Sequence, residues 1–289
     1  MDVPNVLLII MDSVRSRNTS LHGYEKETTP FLNELKDEAT FYEQARASGE
    51  KSVSSHVSLF TGLEVPEHGV TNPNRSLKPG NTIWETLSED YGYSTAVFSR
   101  NVFLTQANVG LKKAFDRVEA GRKVKLPFPD AVDPREFSNF ESSPDYREFL
   151  RTSIEKRKPF RTLINGILLK ASNDYQKYLP GPLEPTSLDS QVFNDLFLEW
   201  ESDTEEPWAA CINYMDAHNP YLPREENDVW GSQELRDLMS DIDHIIWEFP
   251  AGDRPWSERE ALIDLYDGCI RQIDAEIERL FANLEDRGL

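Results

Sequence analysis

Asn5–Asp12 reads NVLLIIMD, an unbroken apolar run closed by a carboxylate. Hydrophobicity without alternation is the pattern of a strand covered on both faces, as strands of parallel sheets are. In open α/β sheets, functional groups collect at the carboxyl ends of strands. Asp12 is therefore a candidate site residue, with an ordinary turn or N-cap aspartate as the alternative. Outward from this strand, Thr29-Pro30 opens a helix carrying Phe31, Leu32 and Leu35 on one face, with Pro30 suited to the first turn. Thr40–Ala47 reads as a second strand. Thr82–Tyr91 has the pattern of an amphipathic helix with Gly92 as its C-cap. Tyr93–Ser99 (YSTAVFS) is strand-like and ends at Arg100-Asn101, and Pro207–Met215 (PWAACINYM) is a further buried strand. The alternation predicts an α/β fold, a mostly parallel sheet sandwiched by helices. Ser257–Gly288 repeats Leu262, Tyr266, Ile270, Ile273, Ile277, Leu280, Phe281 and Leu284 at helical spacing. It predicts one helix of roughly 45 Å, with Gly288 as its stop.

Between these elements lies Gly49–Val70, GEKSVSSHVSLFTGLEVPEHGV. Val57, Leu59, Phe60 and Leu63 mark the buried side of a short helix starting near Ser54 or Ser55. Ser is a favoured N-cap, so Ser52 would precede a helix N-terminus. Such a terminus offers unpaired N–H groups and partial positive charge to a phosphate or sulfate ester. A serine there is a nucleophile if a base or metal ion assists its ionisation. A serine-rich cap without chemistry is the plain alternative.

The chain has 289 residues and a formal charge of −20, from 51 acids against 31 bases. That balance argues against non-specific nucleic-acid binding, which needs clustered Lys and Arg. It resembles the surface of a salt-adapted, halophilic protein, whose self-repulsion is screened by salt, with an acidic mesophilic protein as the alternative. No apolar stretch reaches the roughly 18–20 residues of a membrane span. Met1-Asp2-Val3-Pro4 carries no basic leader, so the expected location is cytoplasmic. Cys211 and Cys269 sit in apolar surroundings and read as core fillers. From about residue 121 to 206 the composition shifts to prolines, acids and then helical segments near Tyr146–Lys158 and Phe160–Tyr178. This stretch reads as a helical insertion. Its bases (Arg151, Lys156, Arg157, Lys158, Arg161, Lys170, Lys177) form either a lid attracting anionic substrate or a solvated face.

In order, NVLLIIMDSVR, TTPFLNELKDEATFYEQARA, SVSSHVSLFTGLEVPEHGV, GYSTAVFSRN, NYMDAHNPYLP and YDGCIRQIDAEIERLFANLEDRGL resemble the sulfatase family of the alkaline phosphatase superfamily. The resemblance implies that Asp12 is a ligand of a catalytic divalent cation, Ca²⁺ or Mg²⁺/Mn²⁺. It places Ser52 at the nucleophile position, with Ser55 and His56 flanking and orienting it. Arg100 falls near a family lysine that contacts ester oxygens, and His218 matches a substrate-side histidine. The implied substrate is an anionic sulfate or phosphate ester, attacked in line.

Three departures stand out. The sulfatase maturation signature places Pro two residues after the nucleophile and Arg two further on; here those positions are Ser54 and His56. An unmodified Ser52 hydroxyl suits a phosphodiesterase or phosphoglycerol-type transferase better than a sulfatase. Second, Ser13 replaces a second metal-binding acid. Third, the family's later Ser-Asp-His-Gly type strand, which supplies further metal ligands, has no counterpart in the sequence. The expectation is an incomplete sulfatase-like α/β domain with little or no esterase activity alone, or a non-catalytic binding protein.

Overall fold

The computed structural model describes residues 3–121, 189–205, 207–242 and 245–289, with scattered positions between 122 and 188. The main elements are β1 (Val6–Met11), α1 (Pro30–Leu35), α2 (Ser52–Thr61), α3 (Val65–His68), α4 (Ile83–Tyr91), β2 (Ser94–Ser99) and α5 (Val102–Thr105). They continue with β3 (Arg117–Glu119), α6 (Asp189–Ser202), β4 (Trp208–Tyr214), α7 (Gln233–Asp241), α8 (Ile245–Ala251), α9 (Trp256–Ala261) and α10 (Ile263–Asp286). The chain divides into two compact units, 1–121 with 187–289, and 122–186. Most of the helix expected near Tyr146–Lys158, most of the one near Phe160–Tyr178 and most of the basic cluster lie outside the described residues; residues 159–164, at the start of the second, are helical.

The strands form one parallel sheet in the order β1-β4-β2-β3. Every residue of β4 is buried, which matches its central place and its apolar sequence. Because side chains alternate along a strand, the sheet serves two cores. Ala96, Phe98, Ala210, Ile212 and Tyr214 face α6 and α10, meeting Phe193, Phe197, Ile270, Ile273 and Ile277. Val97, Ala209 and Cys211 face the other way, against Val53, Val57 and Phe60 of α2 and Trp84 of α4. Phe60 meets Trp84 and Phe115 edge-on at ring separations of 5.5 and 5.8 Å. Full burial of side chains this size stabilises by roughly 2–3 kcal/mol each, so α2 is clamped to the sheet through its apolar face. Cys211 and Cys269 are both free and buried, and burial pushes both thiols up, away from the reactive thiolate.

The helix over Ile83–Tyr91 forms as expected, with a Thr82–Glu85 capping box and Gly92 in the left-handed region. Four expectations are corrected. Thr40–Ala47 is not a strand: it finds no ladder partner, Ala45 N turns back to Tyr42 O, and Tyr42 is 74% exposed. The α2 helix begins at Ser52 and not at Ser54 or Ser55, and its N-cap is Lys51 with no capping side chain. Leu59 and Leu63 are exposed; the buried face is Val53, Val57 and Phe60, spaced by four and three. The C-terminal helix is broken at Leu262, whose buried side chain turns into a separate cluster with Met239, Ile242, Phe249 and Leu265. Arg117–Glu119, too short to carry a hydrophobic pattern, is a strand that pairs with β2.

Asp274 on α10 accepts the Phe31 and Leu32 amides at 2.8 and 3.0 Å, acting as a cap for α1 supplied from another helix. Burial pushes its carboxyl up to about 6, against the downward pull of those two amides. A folded value above the unfolded one means that the native state binds this proton more tightly. Its contribution is therefore fullest below about pH 4 and is lost as pH rises through about 6. We predict that the stability of the native protein relative to Asp274→Asn falls by roughly 2 kcal/mol between pH 4 and 7 in urea titrations. A pH-independent difference would contradict this.

Candidate active site

Parallel strands deliver their carboxyl ends to one edge of the sheet, and the register fixes what meets there. Met11 lies beside Tyr214, and Ser99 beside Asn213. The chain leaves β1 through Asp12, β2 through Arg100-Asn101, and β4 through Met215–His218, all on that edge. On β4, Asn213 shares a parity with Ala209 and Cys211, so it points to the α2 face. There it meets His56, whose Nε2 lies 3.1 Å from Asn213 Oδ1. The other ring nitrogen, Nδ1, lies 2.7 Å from the carbonyl oxygen of Ser52. His56 thus joins the first residue of α2 to the middle of the sheet, and it is buried.

The three serines at the start of α2 differ in what holds them. Ser55 Oγ donates to Gly49 O at 2.6 Å and accepts from Gly49 N at 3.2 Å. Ser54 Oγ donates to Lys51 O at 3.1 Å. These bonds fold the 49–51 loop tightly onto the helix. A Cβ on Gly49 would lie 2.5 Å from Ser54 Oγ, so the loop needs glycine there. Ser52 Oγ makes no hydrogen bond among the described residues, and the residue is half-buried. Its neighbours' hydroxyls are committed to structure and its own is not. The uncapped amides of the first turn lie beside it.

Asp12 is tied to the same network from the far side. Asn101 Nδ2 donates to Asp12 Oδ2 at 3.0 Å, and Ser13 Oγ donates to Asp12 Oδ1 at 3.1 Å. Asn101 N donates to Ser99 Oγ at 2.9 Å, and Asn213 Nδ2 donates to the same oxygen at 3.0 Å. A continuous polar bridge therefore runs from Asp12 through Asn101, Ser99 and Asn213 to His56 and the Ser52 backbone. Below Asp12, Ser13 takes a left-handed φ of 64°, which costs a non-glycine residue on the order of 1–2 kcal/mol. Tyr266 on α10 holds the loop in that shape: its hydroxyl donates to Ser13 O at 2.8 Å and accepts from Arg15 N at 2.9 Å. Burial pushes the Tyr266 phenol up, so it remains a neutral donor.

Arg100 is exposed and sits between two members of the bridge, Ser99 and Asn101. His218 is exposed at the same edge, with Nδ1 2.9 Å from Asn219 O. Asp12, Ser52 and His56 are thus brought into one network, Arg100 flanks it, and His218 stands at its rim. His56 reaches the carbonyl of Ser52 and not its hydroxyl. The sequence pattern does not single out Asn213, Ser99, Asn101 or Tyr266. One signal is available: Asn213 is a polar side chain inside an otherwise apolar strand, at a position the period of two sends inward.

The divalent cation implied by the resemblance does not fit the residues present. Among the described residues no three His, Cys, Asp or Glu come together as a metal group. Asp12 offers one carboxylate, already bonded at both oxygens, whereas Mg²⁺ takes about six oxygen ligands and Ca²⁺ 6–8. Among the described residues no helix is long and apolar enough to cross a membrane.

A family model described as Sulfatase matches residues 4–289. Arylsulfatase K of Bos taurus is 30% identical over 99 residues, which is 34% of this chain and 18% of the relative. Among solved structures, the phosphonate monoester hydrolase of Agrobacterium radiobacter superposes with a TM-score of 0.66 at 17% identity, over 99% of this chain and 60% of that one. The soluble domain of lipooligosaccharide phosphoethanolamine transferase A from Neisseria meningitidis gives 0.53 at 14% identity, over 99% and 64%. The chain thus spans about a fifth of the curated relative and under two thirds of these structures.

Removing the Tyr266 hydroxyl leaves Ser13 O and Arg15 N without their partner. We predict that Tyr266→Phe lowers stability by about 1–2 kcal/mol and accelerates hydrogen exchange at the Arg15 amide. Exchange at Arg15 equal to that of the native protein would show that the loop holds its shape without Tyr266.

Proposed function

Because the chain belongs to the sulfatase family, we propose that it supplies the nucleophile-bearing part of a hydrolase for anionic sulfate or phosphate-type esters, with Ser52 as the attacking group. The observation that carries this reading is the sorting of hydroxyls at the start of α2. Ser54 and Ser55 are bonded into the 49–51 loop, while Ser52 Oγ is uncommitted beside uncapped amides. In the attack, Ser52 Oγ gives up its proton and bonds to the sulfur or phosphorus centre as the ester oxygen departs on the opposite side, the leaving group taking up a proton as the alcohol. Charge on the remaining oxygens is answered by the first-turn amides, by Arg100 and by His218 from the rim. The divalent ion that the family generally uses would need ligands beyond Asp12, and among the described residues no further His, Cys, Asp or Glu group with it. Alone, the chain turns over little or no ester.

A second reading, transfer or hydrolysis of a phosphorus ester, is favoured by Ser54 and His56, which stand where the maturation signature has Pro and Arg. An unmodified hydroxyl forms a phosphoryl-enzyme bond directly. The acidic balance fits a salt-adapted protein that does not bind nucleic acid non-specifically, a reading that composition alone supports.

Inorganic sulfate and phosphate are the probes. Calorimetry on the 289-residue chain should show anion binding that Ser52→Asp abolishes, because a carboxylate at the helix N-terminus takes the anion's place. Binding unchanged in that variant would sink the reading and leave a non-catalytic protein. In the same material, Ser52 should carry its full mass; loss of two hydrogens would favour sulfate over phosphorus esters. Metal-dependent turnover of aryl sulfates or phosphodiesters, abolished by Ser52→Ala, would refute the claim that the ion site is incomplete. Self-repulsion from a net charge of −20 further predicts a thermal midpoint that rises from about 0.1 to about 2 M NaCl. A flat or falling midpoint would contradict the salt-adapted reading.

A further inference from the structure

We infer that Asn213 is a positioning residue, which pins His56 as a brace for the Ser52 turn and removes it from service as the base acting on Ser52. The inference rests on the reading of Ser52 as nucleophile. The geometry is local and complete. A backbone carbonyl only accepts, so the 2.7 Å contact with Ser52 O requires a proton on His56 Nδ1. Nε2 faces the Asn213 amide oxygen at 3.1 Å, which likewise only accepts, so both ring nitrogens point at acceptor oxygens and neither points at Ser52 Oγ. The ring packs edge-on against Phe60 at 5.9 Å, which restrains its tilt. Asn213 is itself fixed: Ser99 Oγ donates to Asn213 O and accepts from Asn213 Nδ2, both at 3.0 Å. The amide is wholly buried, so losing either bond leaves a polar atom unanswered. Because Ser99 Oγ also accepts from Asn101 N, and Asn101 holds Asp12, the same side chain sets the spacing between the Ser52 turn and the Asp12 carboxylate. A base for Ser52 must then come from outside this pair.

Histidine-selective ¹⁵N labelling tests this on the full chain, without any need for turnover. There are five histidines, and His56→Gln identifies the signal of interest. The native protein should show a His56 Nδ1–H in slow exchange with water. In Asn213→Ala, folded by circular dichroism, that proton should exchange about tenfold faster. Asn213→Asp keeps an acceptor in place and should restore slow exchange. A native His56 protonated on Nε2 alone, or an Asn213→Ala ring indistinguishable from the native one, overturns the inference. If Asn213→Ala does not fold, the native tautomer decides by itself. Anion binding that survives Ser52→Asp would defeat the nucleophile reading and leave the ring measurement standing, so the two failures are distinguishable.

Discussion

A polar side chain in the middle strand of an apolar parallel sheet has to be answered by partners, because no water reaches it there. Asn213 is answered by Ser99 on the neighbouring strand and by His56 on the helix above. That pair of contacts sets where α2 begins relative to the sheet. The helix could slide along the apolar surface of Val97, Ala209 and Cys211 with modest loss, since dispersion is not directional. A hydrogen-bonded ring and amide cannot slide. The aromatic packing of Phe60 and Trp84 supplies most of the adhesion, and the polar bridge supplies the register.

The same bridge explains why Asp12 and Ser52, forty residues apart in the chain, belong to one site. Asn101 is held by Ser99 and in turn holds Asp12 across the end of β4. On the other side of the aspartate, Tyr266 fixes the left-handed Ser13 from α10. The candidate nucleophile and the candidate metal carboxylate are thus each held by a neighbouring group: His56 for the Ser52 turn, Asn101 and Ser13 for Asp12. Rigid support of this kind is what in-line chemistry on an ester requires. Asp12 still brings only one carboxylate, so an ion's remaining ligands have to come from other groups.

Much of this is legible in the sequence where one physical rule dominates. YSTAVFS and PWAACINYM are strands because continuous burial leaves no other pattern; NVLLIIM is a strand too, but it ends the described sheet and its residues are half-buried or exposed, not covered on both faces. Thr82–Glu85 with Gly92 bounds a helix by local chemistry alone. Thr40–Ala47 reads like a strand yet has nothing to pair with among the described residues, and pairing is a tertiary fact. The bend at Leu262 is invisible in a periodicity that continues through it, because the residue stays buried while changing clusters. Position and resemblance point to Asp12, Ser52 and His56. What joins them, Asn213, Ser99 and Asn101, becomes visible only when the register brings distant residues together. The pattern of apolar residues puts Ser52 ahead of the helix, and it is the helix's first residue.

The central claim is that the bridge from His56 to Asp12 acts as one unit. A double-mutant cycle between His56→Ala and Asn101→Ala, read by urea unfolding, tests it most directly. The two side chains do not touch, so independent roles would make their effects additive within about 0.3–0.5 kcal/mol. A shared network running through Asn213 and Ser99 predicts a coupling of about 1 kcal/mol, the double variant losing less than the sum of the singles. Strict additivity would contradict the account.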